Sequence, residues 1–391
     1  MKRVIPALIL ILAILTFSAC HKNSGPVFGV TPVVDVSEDS EIRVGVIFSG
    51  DEEVDNAYIQ SHIQGIEAMR LALGLSEEQV QREFKVSVED KEQIRRAVEN
   101  CVLSGCKIIF GTEKEYAAVL AEYAREYPEV FFSNALTDRN NGTNFSGYTV
   151  DTYEVQYLSG IVAAMRTQTG AIGYVGYTAP EAIVGINAFA MGVERVNPEY
   201  RVYLCSVEER CSPERERSEA QALIDMGCDV IGQNTYSTQP QLVAEENEVW
   251  SCGFLTDMNS AAPDAHLQSA MVNWGSYYTK AVKETIEGTW QNENLSGGLT
   301  NGHVALSPVN HNCTRGTTAA VNEAKAELSA GKHIFTGELI DNEGNIVCPE
   351  GSYITYDQLT EGFDWYYRNI VDYKEGIVLQ GTIPFFLSKI F

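Results

Sequence analysis

The sequence predicts an α/β protein of two doubly wound parallel-sheet lobes, joined by a hinge and separated by a ligand cleft. Its 391 residues are too many for one ordinary core and suit two domains of typical size. Short apolar runs alternate with amphipathic helical stretches, which indicates β-α-β units and parallel sheets covered by helices on both faces. This alternation continues to about Ser133 and restarts near Tyr153, which predicts two lobes in series.

The first twenty residues have the pattern of an export signal. Two basic residues precede an apolar run from Val4 to Phe17, which is shorter than the roughly 20 residues of a membrane span. The Ser-Ala-Cys that ends at Cys20 is similar to the site at which lipoprotein signal peptidase cuts. Residues 1–20 are therefore interpreted as a signal peptide, with Cys20 lipidated on the extracytoplasmic side of the cell membrane. A plain signal peptide and an uncleaved anchor are the alternatives.

The remaining chain divides into a tether and two lobes. Residues 21–41 are rich in Pro, Gly, Ser and charge, which is typical of a tether. Lobe 1 is expected at 42–150, with a return segment at about 255–305. Lobe 2 is expected at 151–254, with a C-terminal segment at about 306–391. Hinge strands are expected near 134–152 and 254–273.

The strands and helices are predicted from apolar runs and from the Gly and Pro residues that interrupt them. The strands and helices expected in lobe 1 are 43–48, 58–73, 84–88, 92–103, 106–110, 116–127 and 130–133. Those expected in lobe 2 are 153–166, 171–175, 181–196, 201–204, 214–226, 229–233, 239–247 and 249–254. Further along, 271–287 is predicted as one long helix, 319–330 as a helix and 337–347 as a hairpin.

Charge and missing motifs restrict the possible functions. The net charge of −25 opposes binding to phosphate backbones, so no nucleic-acid partner is expected. The sequence lacks a Gly-x-Ser-x-Gly elbow, a Walker loop, a His-Glu-x-x-His pair and a Cys-x-x-Cys pair. We therefore expect no enzyme, no metal and no cofactor.

Eight cysteines remain once Cys20 is assigned to lipid. An even number in an exported chain permits disulfides, although spacing cannot fix their connectivity. Buried free thiols are the alternative. The local pairings expected are Cys101–Cys106, Cys205–Cys211, Cys228–Cys252 and Cys313–Cys348.

Open parallel sheets bind ligands outside the carboxyl ends of their strands. In a two-lobed protein these edges face each other across a cleft. Aromatic residues near the expected strand and helix ends favour a planar ligand held by stacking. They are Tyr58, Tyr116, Tyr177, Tyr236 and Trp274.

Six stretches are distinctive in their order along the chain: Val54–Ile59, Tyr153–Gly160, Ile172–Phe189, Asp257-Met258, Asn273–Tyr278 and Phe335–Pro349. Together they resemble the basic membrane protein family of ABC-transporter substrate-binding lipoproteins, which includes purine nucleoside receptors. The resemblance runs from about Ile42 to about Asn369. It implies a type I periplasmic-binding-protein-like fold, a purine-like ligand and an ABC permease as partner.

The resemblance also implies positions for the ligand site. Tyr58 is the first-lobe stacking plate, with Asp55 and Asn56 beside it as readers of the ligand edge. The other residues implied are Tyr116 and Asn134 in lobe 1, Glu181, Asn234 and Thr235 in lobe 2, and Asp257 and Trp274 near the crossover.

This chain departs from the family pattern at the second-lobe aromatic, at the residues that hold ribose, and at Asn234, where close relatives carry His. The second-lobe aromatic falls near Arg210, so either the Arg210 guanidinium or the ring of Tyr177 is expected to stack on the ligand. The charged pair that holds ribose in the nucleoside receptors is replaced by Leu255 and Val272. We therefore expect a purine base or a similar planar molecule. A ligand-sensing lipoprotein of the same fold and an exported enzyme on this scaffold are the alternative functions.

Overall fold

The computed structural model describes residues 42–373. The predicted signal peptide, the predicted lipidation site Cys20 and the predicted tether lie outside the described residues. In the part of the chain that the structure describes, no helix is both long enough and apolar enough to cross a membrane.

The described residues form two parallel sheets flanked by helices. The strands are β1 Val44–Ile47, β2 Val80–Glu83, β3 Ile108–Gly111, β4 Phe131–Ala135, β5 Phe145–Val150, β6 Ala171–Tyr177, β7 Arg201–Val207, β8 Val230–Gln233, β9 Trp250–Leu255, β10 His266–Val272, β11 Leu295–Gly297, β12 Val304–Leu306, β13 Leu339–Ile340, β14 Ile346–Cys348 and β15 Ile370–Asp372. The helices are α1 Ala57–Ala72, α2 Lys91–Leu103, α3 Ala117–Glu126, α4 Thr152–Arg166, α5 Pro180–Val196, α6 Pro213–Met226, α7 Gln239–Glu246, α8 Trp274–Glu287, α9 Thr317–Ser329 and α10 Tyr356–Glu361.

Lobe 1 is built on the sheet β11-β5-β4-β3-β1-β2, in which every pair of neighbours is parallel. All four residues of β1 and of β3 are buried, because helices cover both faces of this sheet. Burial on both faces explains why these strands read as continuous apolar runs.

Lobe 2 is built on the sheet β12-β10-β9-β8-β6-β7-β15, which is parallel except that β12 runs against β10. Helices α4 and α5 pack against each other at unusually close range. A Cβ atom on Gly160 would lie 2.0 Å from the Phe189 carbonyl oxygen, and one on Gly192 would lie 2.0 Å from that of Tyr157. Only glycine fits at these two contacts, so no larger residue can replace either one without moving a helix.

Within the described residues the chain crosses between the sheets three times. The connectors are Asp151 between β5 and α4, Asn273 between β10 and α8, and residues 298–303 between β11 and β12. The Asp151 amide donates to the Gly297 carbonyl at 2.8 Å, and the Asn273 amide donates to the His303 carbonyl at 2.7 Å. The connectors therefore lie side by side as one hydrogen-bonded hinge.

The segment expected to return to lobe 1 contributes to both lobes. Strands β10 and β12 lie in the lobe 2 sheet, whereas β11 pairs with β5 and α8 packs on α1. The Trp274 indole at the start of α8 donates to the Ser61 hydroxyl of α1 at 3.0 Å. The C-terminal segment ends in β15, which extends the lobe 2 sheet beside β7.

Some predicted elements are wrong in position or type. The second strand is Val80–Glu83, and not 84–88, because Lys85 adopts a left-handed φ of 58° that ends the extended chain. The single helix expected from Met271 is a strand that ends at Val272, followed by α8. The helix near 319–330 and the hairpin near 337–347 are confirmed as α9 and the β13–β14 pair.

The eight described cysteines are all free thiols, so none of the expected disulfides is present. Cys228 lies in the core on one side of the lobe 2 sheet, while Cys252 belongs to a different core cluster. Cys205 and Cys211 also lie in two different core clusters. Cys313 and Cys348 both pack at one lobe 2 cluster, and Cys101 and Cys106 share the α2–β3 core.

Candidate functional site

The carboxyl ends of the two parallel sheets meet across a cleft that is closed in this structure. Loops after β1 and β3 approach it from lobe 1, and loops after β6, β7 and β8 approach it from lobe 2. The Ala57 amide at the start of α1 donates to the Tyr236 carbonyl across the cleft at 2.6 Å. The two lobes are therefore in direct backbone contact here.

A pair of parallel tyrosines, one from each lobe, forms the centre of the site. The rings of Tyr58 and Tyr236 have centroids 5.4 Å apart and planes inclined by 15°. The Tyr58 hydroxyl donates to the Thr112 carbonyl at 2.5 Å. Trp274 and His62 meet the Tyr58 ring edge-on. These contacts fix the lobe 1 ring in position before any ligand reaches it.

Asp55 and Asn56, expected to read a ligand edge, are engaged within the protein. The Asn56 side chain caps α1 by accepting from the amides of Tyr58 and Ile59 at 3.0 and 3.2 Å. The Asp55 carboxylate crosses the cleft and accepts from the Thr238 amide at 3.0 Å and the Thr238 hydroxyl at 3.2 Å. Asp55 thus ties the α1 loop of lobe 1 to the start of α7.

Arg210 and Tyr177, proposed as alternative stacking groups, stack on each other. The Arg210 guanidinium lies 4.5 Å from the centre of the Tyr177 ring. It also donates to the Tyr236 hydroxyl at 3.0 Å and pairs with Glu181 at 2.5 Å. Burial disfavours the charged form, but Tyr236 and Glu181 outweigh this effect, so the pKa of Arg210 is raised.

A carboxylate that the sequence reasoning did not select, Glu113, lies on the lobe 1 side. Its Oε1 accepts from the Ser49 hydroxyl at 2.5 Å, and its backbone carbonyl accepts from the Asn134 amide group at 2.9 Å. Burial raises the pKa of Glu113 to about 7. Its position two residues past the end of β3, in a loop at the carboxyl edge of the sheet, was the signal that the sequence offered.

Several expected site residues make contacts within their own lobe and are not placed beside the tyrosine pair. Tyr116 is buried in the lobe 1 core, where its hydroxyl donates to the Val86 carbonyl at 2.6 Å. Asn234 uses its amide group to bond the backbone of Tyr177 at 2.7 and 3.1 Å. The carboxylate of Asp257 lies 3.6 Å from the His266 ring.

Two expected residues are buried with an atom that lacks a partner. The Thr235 hydroxyl and the Asn134 side-chain oxygen have no hydrogen-bond partner among the described residues. Thr235 immediately precedes Tyr236, whereas the Asn134 oxygen faces the Cα of Gly111.

Apolar side chains pack around the tyrosine pair. Leu255 and Val272 are buried in the same cluster as Tyr58 and Tyr236. Leu255 ends β9 with a left-handed φ of 69°, which is unusual for a branched residue and turns the chain at the cleft edge. Throughout residues 42–373, no group of three His, Cys, Asp or Glu side chains could hold a metal ion.

Comparison with known proteins identifies similar binding proteins. The model of the Bmp family, described as ABC transporter substrate-binding protein PnrA-like, matches residues 42–333. A purine-binding protein of Brucella abortus (strain 2308) is 30% identical over 336 residues, which cover 85% of this chain and 94% of that protein.

Solved structures show the same architecture. An ABC transporter solute-binding protein from Conexibacter woesei superposes with a TM-score of 0.64 at 20% identity, over 74% of this chain and 97% of that one. A transcriptional activator from Bacillus halodurans gives a TM-score of 0.66 at 18% identity, over 74% and 98%. The predicted two-lobed, type I periplasmic-binding-protein-like fold is confirmed.

Proposed function

Because this chain belongs to the Bmp family of PnrA-like ABC transporter substrate-binding proteins, we propose that it binds a purine in the interlobe cleft and delivers it to an ABC permease. The observation that carries the proposal is the parallel pair of Tyr58 and Tyr236, one ring from each lobe. Stacking on an aromatic ring contributes roughly 1–3 kcal/mol per base. The purine-binding relative supports the same ligand class.

The spacing of the two rings specifies how a planar ligand enters. A purine between them needs roughly 7 Å from ring to ring, which is two contact distances of about 3.5 Å. The rings are 5.4 Å apart in this structure. Because 5.4 Å joins the ring centroids and the planes are no farther apart than that, binding between them requires the lobes to part by at least about 2 Å at this point, a movement that hinge bending supplies.

The apolar surroundings favour a base over its nucleoside. Leu255 and Val272 offer ribose no side-chain hydrogen bond, and both belong to the cluster that contains the tyrosine pair. A sugar buried there without partners costs about 1–3 kcal/mol for each unsatisfied hydroxyl. We propose that the affinity for a base equals or exceeds that for its nucleoside.

The N-terminal sequence supports a membrane-anchored receptor. Lipidation of Cys20 would hold the protein on the extracytoplasmic face of the membrane, near the permease. Two acyl chains on one cysteine give stable anchoring, whereas a single chain binds membranes only marginally.

Two measurements test the proposed ligand. Mass spectrometry of small molecules released by denaturing purified protein should detect a purine. Calorimetry with adenine, adenosine, guanine and guanosine should show binding, with bases at least as tight as nucleosides. Failure of all four to bind would refute the purine assignment, and nucleosides binding a hundredfold tighter than bases would refute the argument about ribose.

A further inference from the structure

Two oppositely charged side chains border the tyrosine pair, one from each lobe. Glu113 directly follows Thr112, whose carbonyl accepts the Tyr58 hydroxyl. Arg210 donates to the hydroxyl of Tyr236 at 3.0 Å. Because the two rings stack, a planar molecule held by either ring lies within reach of an anion from lobe 1 and a cation from lobe 2.

The carboxylate of Glu113 has capacity for more donors than the protein supplies. An ionised carboxylate has about four acceptor positions on its two oxygens. Among the described residues, Ser49 is the side chain that donates to it, at 2.5 Å and to Oε1. A ligand edge with two adjacent N–H groups would satisfy this carboxylate as a bidentate partner.

The guanidinium of Arg210 offers the complementary chemistry. A guanidinium carries five N–H donors. Two of those on Arg210 are used, one by the hydroxyl of Tyr236 and one by the carboxylate of Glu181. The remaining donors suit two neighbouring acceptors on a planar ring. The O6 and N7 atoms of guanine form such a pair, and Arg is their most frequent specific partner in proteins.

Resting on the proposed purine function, we propose that the cleft selects 2-amino-6-oxopurines, the class of guanine, through Glu113 and Arg210. Guanine presents N1–H and the 2-amino group as adjacent donors for Glu113, and O6 with N7 as acceptors for Arg210. Adenine would place its N1 acceptor against the carboxylate, where the two lone pairs repel. Hypoxanthine keeps N1–H and the acceptor pair but lacks the second donor.

The test is equilibrium dialysis of the wild-type protein against labelled guanine, hypoxanthine and adenine at about pH 8, above the raised pKa of Glu113, so that its carboxylate is ionised. Guanine should bind at least tenfold tighter than adenine, with hypoxanthine between them. In Glu113→Gln the affinity for guanine should fall at least tenfold while that for adenine stays the same or rises, because the amide removes the repulsion at adenine N1 and can donate to it. The control is Glu89→Gln, which alters an exposed lobe 1 carboxylate away from Glu113 and should change no affinity.

The outcomes separate this inference from the function on which it rests. Equal affinities for guanine and adenine, or an equal loss of both in Glu113→Gln, would refute guanine selection while leaving purine binding intact. Failure of every purine to bind the wild type would refute the proposed function itself. Circular dichroism melting of each variant shows that it is folded before its affinity is compared.

Discussion

Removing the Asp55 carboxylate should weaken the closed state of the cleft. In Asp55→Ala the two hydrogen bonds from Thr238, at 3.0 and 3.2 Å, are lost. A hydrogen bond to a charged group contributes about 1.5–3 kcal/mol. Asp55 is partly exposed and the hydroxyl bond is long, so we take about 2 kcal/mol for the two bonds together. Because the bonds join the lobes, the whole amount acts on closure.

That free energy sets the size of the expected effect. Each 1.4 kcal/mol changes an equilibrium constant about tenfold, so the ratio of closed to open protein should fall roughly 30-fold. If the free wild-type protein is open and the purine-bound protein keeps both bonds at the edge of the cleft, the Kd for the purine should rise by the same factor. If it is already closed, small-angle scattering should show a larger radius of gyration for the free variant.

Two variants calibrate the measurement. Thr238→Val keeps the backbone donor and removes the hydroxyl, so it should give about half the effect in free energy. Asp51→Ala breaks an exposed ion pair with Lys85 inside lobe 1 and should change the Kd by less than about threefold. An Asp55→Ala protein that folds and keeps both the wild-type Kd and the wild-type radius would refute the role of Asp55 in closure.

Four further predictions concern the anchor, the hinge, the stacking plate and Glu113. Cys20→Ser should move the protein out of the membrane fraction, and a variant that keeps its acyl label there would contradict lipidation. If the free wild-type protein is open, purine binding should lower its radius of gyration in scattering, and an unchanged radius would contradict hinge closure. Tyr58→Ala should weaken purine binding by roughly 1–3 kcal/mol in calorimetry, whereas Tyr353→Ala at an exposed ring should not. The pKa of Glu113 is raised from 4.5 to about 7. Between these two pH values the folded protein holds a proton on Glu113 that the unfolded chain releases, so the contribution of Glu113 to the free energy of unfolding falls as the pH rises. The melting temperature of Glu113→Gln relative to wild type should therefore increase from about pH 5 to about pH 8, and a constant difference would contradict the shift.

The sequence predicts strands best where burial on both faces demands apolar side chains. Strands β1 and β3 are such runs, and their positions follow directly from the sequence. Strand β10 is equally buried but contains polar residues, so its sequence does not read as a strand. The Gln268 amide donates to the Ser159 hydroxyl of α4 at 2.8 Å. Such a residue becomes acceptable in a core only through a partner far along the chain.

The site is less predictable because its contacts depend on how the lobes meet. The position of Tyr58 after β1 indicates the cleft, but its stacking on Tyr236 involves a residue of the other lobe. Asn56 illustrates a second ambiguity, since an asparagine before a helix serves equally well as a helix cap or as a ligand contact. The geometry assigns its side-chain oxygen to the cap.

The three side-by-side connectors limit the motion available to the two lobes. A single connector would let one lobe swivel freely about bonds on either side of it. Three connectors, tied by the bonds from Asp151 to Gly297 and from Asn273 to His303, leave mainly one bending axis. The open protein then explores few relative orientations, so closing on a ligand loses little rotational entropy. The same two cleft faces of the lobes therefore meet at every closure.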